Sequence, residues 1–107
     1  MIKIDGNNYQ IVVLTSASAI NPDNDNVDIE VIFDSGKRYV ATFFTLDNIR
    51  SLMDKYKETQ ECKGGLYFWA SDMVVVRKLS REIIHETVED LILTGEIEHA
   101  FSSPLPD

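Results

Sequence analysis

The sequence predicts an α+β domain, a mainly antiparallel sheet of about five strands with two amphipathic helices packed on one of its faces. Three observations predict it. Residues 27–34 alternate apolar residues with mostly polar ones, and a glycine-containing turn then leads into a second apolar-rich stretch, residues 37–44. Residues 45–59 and 80–95 instead space their apolar residues three and four apart behind a hydroxyl residue suited to capping a helix. Short links between consecutive strands imply hairpins, and one-sided helices need an apolar sheet face to cover. The 107 residues, 44% of them hydrophobic, suit a single domain over residues 1–107 with 102–107 as a short proline-containing tail. A chain of this length buries roughly two-thirds of its unfolded surface.

Tyr9–Leu14 reads as a strand, and "TSASAINPDNDN" after it as a loop with Pro22 as a breaker. The stretch "IVVLTSASA" (Ile11–Ala19) imitates the end of a signal peptide. Asp5, Asn7, Asn8 and Gln10 precede it, however, and its apolar run of four residues is too short, so a strand is expected. No apolar run approaches the ~20 residues of a membrane span.

Val27, Ile29, Val31 and Phe33 then alternate with Asp28, Glu30, Ile32 and Asp34. A three-residue loop at Asp34–Gly36, with Gly36 in the left-handed region, sets Phe33 against Lys37, Val31 against Tyr39, Ile29 against Ala41 and Val27 against Phe43. That register gathers Val27, Ile29, Val31, Phe33, Tyr39, Ala41 and Phe43 on one face. A two-residue turn would oppose Glu30 to Ala41 and Asp28 to Phe43.

Thr45 is placed to cap a helix running to about Thr59, with Asp47 at the positive end of its dipole. Leu46, Ile49, Leu52, Met53 and Tyr56 form its expected buried stripe. Gln60–Gly65 ends the helix. Leu66–Trp69 and Met73–Arg77 read as two strands around an "ASD" turn, or as one bent strand, so that Gly64–Ser80 is mostly core; whether Trp69 is buried or presented stays open. In the last helix Leu79 and Ser80 are staple and cap, Ile83/Ile84, Thr87/Val88 and Leu91/Ile92 repeat every four residues, and Gly95 supplies the stop. Glu96–Phe101 is a candidate edge strand, and Pro104 and Pro106 oppose regular pairing in the tail.

With 18 acidic against 10 basic residues the net charge is −8, which disfavours nucleic acid and anionic membranes and favours a basic partner. The single cysteine, Cys62, cannot form an internal disulfide, which fits a reducing, cytoplasmic setting.

Candidate chemistry is sparse, and the sequence predicts no catalytic, cofactor-binding or metal-ligating residue. "DNDNVD" (Asp23–Asp28) resembles part of a calcium loop but puts Val27 and Asp28 where a ligand and a glycine are needed. His85-Glu86 lacks a second histidine at position 89, leaving His85 as a surface histidine. Cys62 has no evident base or electropositive setting to make it a nucleophile. Gly64-Gly65 has no Lys-Ser/Thr after it and is no phosphate loop. Tyr67, Phe68 and Trp69 could stack bases, but the −8 charge opposes a nucleic-acid path.

Two acidic clusters remain. Residues 23–34 hold Asp23, Asp25, Asp28, Glu30 and Asp34 without a basic residue, and residues 80–101 hold six acids against Arg81, so each carries −5. Helical spacing puts Glu82, Glu86, Glu89 and Asp90 in a stripe opposite Ile84, Val88 and Leu91. Like charges four apart repel by a few tenths of a kcal/mol per pair. The candidate partner-binding residues are therefore Glu82, Glu86, Glu89, Asp90, Asp23, Asp25, Asp28 and Glu30, facing a basic protein.

At "YVATFFTLDNI" (Tyr39–Ile49) and "GLYFWASDMVVV" (Gly65–Val76) the chain resembles the immunity proteins of bacterial contact-dependent growth inhibition systems, and with the last helix the resemblance spans roughly residues 27–95. It implies a non-enzymatic cytoplasmic protein that binds one cognate basic toxin domain, often a nuclease, one to one, and blocks its active site or substrate path. No family residue carries over as a known contact. The alternative is a small structural or regulatory adaptor that self-associates through a strand edge.

Overall fold

The computed structural model describes residues 1–104. Its five strands are β1 (Ile2–Asp5), β2 (Tyr9–Val13), β3 (Asn26–Phe33), β4 (Arg38–Thr45) and β5 (Met73–Val76), and they lie in the sheet in chain order. The helical elements are a 3-10 turn at Ala17–Ala19, α1 (Leu46–Thr59), a short turn α2 (Glu61–Gly65), α3 (Arg81–Leu93) and α4 (Ile97–Ala100). The predicted α+β class holds.

The central hairpin has the predicted register. Val27 pairs with Phe43, Ile29 with Ala41 and Val31 with Tyr39, and Gly36 turns the chain at φ +94°. The alternation decides this: every odd residue from Val27 to Val31, with Tyr39, Ala41 and Phe43 opposite, is buried on one face. Ile4, Ile11 and Val13 extend that face. Burying five or six such side chains at about 2 kcal/mol each makes any one-residue slip very costly.

Sequence reasoning missed β1, which pairs antiparallel with β2 from Ile2↔Val13 to Asp5↔Gln10. Four residues with one buried side chain, Ile4, are too short to carry a period. The other edge also differs. Leu66–Trp69 forms no strand, and β5 runs parallel to β4 because α1 carries the chain back before it pairs. Parallel neighbours require such a crossover.

Beyond β5, the open edge of β4 is taken by the chain's end: Ser102 exchanges both backbone hydrogen bonds with Val40, and the Ser103 hydroxyl donates to the Arg38 carbonyl. The tail is thus partly paired at Ser102 and Ser103, while the expectation for Pro106 lies outside the described residues. Glu96–Phe101, expected as a strand, is instead the turn α4, whose Ile97 and following Phe101 plug the core.

Both predicted caps form. Thr45 Oγ1 accepts from the Asn48 N–H at 3.2 Å, and Ser80 Oγ accepts from the Ile83 N–H at 3.2 Å. α3 lies on the core through Ile84 and Val88. α1 behaves differently from its predicted stripe: none of its residues is buried, Leu46 is exposed, and it contributes nothing to the main core. It is tied to Phe44, on the other side of β4, through Phe68, whose ring lies 5.3 Å from Phe44 and 6.4 Å from Tyr56. No helix of the described residues is long and apolar enough to cross a membrane.

Candidate functional site

The predicted acids divide by how the fold uses them. Those of residues 23–30 are largely engaged. Glu30 accepts both a 3.2 Å and a 2.8 Å hydrogen bond from Arg38, which lies diagonally across the β3–β4 pair. Asp28 accepts from the Thr42 hydroxyl at 2.8 Å. Asp25 receives the backbone N–H groups of Asn21 and Asn26, which makes it the organiser of the loop rather than a free charge. Asp23 lies 3.7 Å from Lys78. The carboxylates that suggested a cation loop are thus spent on turn geometry.

The α3 acids are in the opposite situation. Glu82, Glu86, Glu89 and Asp90 are all exposed, and none has a hydrogen-bond or ion-pair partner among the described residues. The two clusters do not merge. α3 covers the face to which Val27, Ile29 and Val31 point, whereas Asp28 and Glu30 alternate onto the other face. A partner seated on the α3 stripe therefore does not touch the β3 acids through the same flat surface.

Under the α3 stripe lies a feature that sequence reasoning missed. His85 is half-buried rather than a surface residue, and its Nε2 is shielded from solvent without a partner; Tyr9 Oη is the other such atom among the described residues. Burial, and then the negative charge of Glu89, pushes the Tyr9 hydroxyl above its ordinary pKa. Glu89 is thus close enough to act on the Tyr9 hydroxyl, and His85 is its i,i+4 neighbour on α3. A helical wheel of α3 puts His85 at the rim of the apolar face, the one available warning.

The segment expected to be mostly core is the most exposed apolar part of the chain. Leu66 is 74% accessible, Tyr67 48% and Trp69 67%, and Val75 on the edge strand β5 is also exposed. Its cause is local. Gln60, Cys62, Lys63, Gly64 and Gly65 all have positive φ, between 49° and 84°, so the chain leaves α1 in a left-handed turn that three non-glycine residues occupy at a steric cost. Gly65 then passes so close to α1 that a Cβ there would lie 2.1 Å from the Met53 carbonyl oxygen. This docks Phe68 between Phe44 and Tyr56 and leaves its neighbours facing out. Four consecutive apolar residues have no period that could have separated inner from outer.

Cys62 sits in this strained turn, half-buried, and with Glu61 raises the pKa of Tyr56, whose own burial is the larger cause. Among the described residues, no group of three or more His, Cys, Asp or Glu side chains is arranged to hold a metal ion.

The fold and these surfaces define a small α+β protein with a mixed, mostly antiparallel sheet, one uncompensated acidic helix and one exposed aromatic loop. Comparison with protein-family models, with curated proteins and with solved structures found no match.

Proposed function

We propose that the protein is a toxin-neutralising immunity protein that binds a cognate basic toxin domain, such as a nuclease, one to one and in the cytoplasm, blocking it sterically without catalysis. The observation that supports this reading is the α3 stripe: four exposed carboxylates with no cation of the fold spent on them. Their mutual repulsion goes uncompensated within the fold, and a basic partner relieves it while gaining association rate. The chemistry suits a nuclease, whose phosphate-binding ground is cationic.

The test is a pull-down, at low and high salt, of the protein encoded immediately upstream of this chain. Tight, salt-sensitive one-to-one capture supports the proposal. Absence of capture at both salts refutes it for that partner and leaves an acidic α+β domain.

A second reading, a self-associating adaptor, is favoured by Leu66, Tyr67, Trp69 and Val75, which expose apolar surface beside an edge strand. Of these, the tryptophan and the tyrosine are types enriched among interface anchors. Light scattering across a concentration series separates the readings, because an inhibitor that works one to one needs no self-association.

A further inference from the structure

An apolar pocket of about 170 Å³ opens at the start of α3, distinct from the acidic stripe. Its floor is the core face of the N-terminal hairpin, represented by Ile4 and Val13. Ala17 and Ile20 form one wall and Leu79 and Ile84 the other. The only charged residue in its lining is Arg81.

Two features distinguish this pocket from a packing defect. The Arg81 guanidinium is anchored: its Nη2 donates to the Lys3 carbonyl oxygen at 3.0 Å, which holds the planar head at the rim and leaves its other N–H donors unpaired with any carboxylate of the described residues. In a chain of net charge −8, an arginine so placed makes a local anion site where the surrounding field would otherwise repel anions. The size is also informative, since apolar cavities of about 150 Å³ take up a benzene-sized guest.

From the combination we infer that this pocket binds a small amphipathic carboxylate, a single ring or short branched chain bearing one carboxylate group. The apolar body lies between Val13 and Ile84, and the carboxylate receives the free guanidinium donors of Arg81, a planar match for both of its oxygens. No other side chain of the lining is polar, so charge and size together set the ligand class.

Phenylacetate, titrated into the ¹⁵N-labelled full chain and followed by amide chemical shifts, tests this directly. Saturable shifts at Val13, Ala17, Ile20 and Ile84, with Kd of about 1 mM for so few atoms, are expected. Arg81→Gln, and separately the neutral analogue 2-phenylethanol on the native chain, should each weaken binding about tenfold, the scale of a lost charge-assisted hydrogen bond. Ala17→Phe, which fills the pocket from its exposed wall, should abolish binding; Ala17→Leu serves if the larger residue disturbs the amide spectrum elsewhere. Shifts that never saturate, equal binding of 2-phenylethanol, or undiminished binding in the folded filling variant would each overturn the inference.

Discussion

Thr45 Oγ1 lies 3.3 Å from the backbone nitrogen of Asp25 and accepts its hydrogen bond while also capping α1 through Asn48. The backbone N–H of Thr45 returns a bond to the Asp25 carbonyl at 3.1 Å. One side chain, 1% exposed, thereby fastens the loop before β3 to the start of α1. These bonds use only the main chain of Asp25, whose carboxylate accepts from the backbone of Asn21 and Asn26.

Thr45→Val preserves shape and removes the acceptor, orphaning two N–H groups. A loss of about 2 kcal/mol is expected, with Thr45→Ser losing less than half of that. Urea unfolding of both variants measures it; equal midpoints would show that the cap carries no weight.

Gly65 and Gly95 form a controlled pair. Both have positive φ, but a Cβ at Gly65 meets the Met53 carbonyl whereas at Gly95 it meets nothing. Gly95→Ala should cost about 1 kcal/mol, the backbone penalty alone. Gly65→Ala should cost about 3 kcal/mol or more because backbone must move. Similar losses at the two sites would contradict the close approach of Gly65 to α1.

Tyr9 has a raised hydroxyl pKa, first from burial and then from Glu89. The unfolded chain therefore releases this proton at a lower pH than the folded one does. The contribution is complete below the unfolded value near 10 and is lost as pH climbs through the higher folded value. Tyr9→Phe should flatten this alkaline decline and, by deleting an unpartnered buried hydroxyl, leave stability at pH 7 unchanged or slightly higher. An unchanged alkaline slope in thermal melts would assign it to other groups.

Reversing the α3 charges should separate folding from binding. Glu86→Lys with Asp90→Lys, both beyond the first turn of α3, should hold stability within about 0.5 kcal/mol, since neither carboxylate has a partner to lose. The same pair should slow association with a basic partner of the proposed kind and reduce its salt dependence. Glu30→Gln should do the reverse, disturbing the Arg38 pair with little effect on association rate. Rates insensitive to the α3 reversal would move the interface elsewhere.

Trp69 is the chain's single tryptophan and is exposed, so its emission reports on one surface. At low concentration it should emit like tryptophan in water and be readily quenched by acrylamide. Trp69→Ser should change stability by no more than about 0.5 kcal/mol. A blue shift that grows with protein concentration would favour the self-associating adaptor.

Features that depend on residues within one or two turns of each other are legible in the order of the amino acids. The β3–β4 register follows from the alternation of β3 and the turn at Gly36, the starts of α1 and α3 from the hydroxyls of Thr45 and Ser80, and the exposure of Glu82, Glu86, Glu89 and Asp90 from a 3.6-residue period. What each apolar face meets is set by long-range packing. It placed β1 on the sheet's edge, turned β5 parallel, brought Ser102 beside Val40, drew the β3 acids into internal bonds and turned Trp69 outward. Periodicity distinguishes one side of an element from the other, but the partner of that side lies tens of residues away, chosen by close packing and by the strained turn after α1.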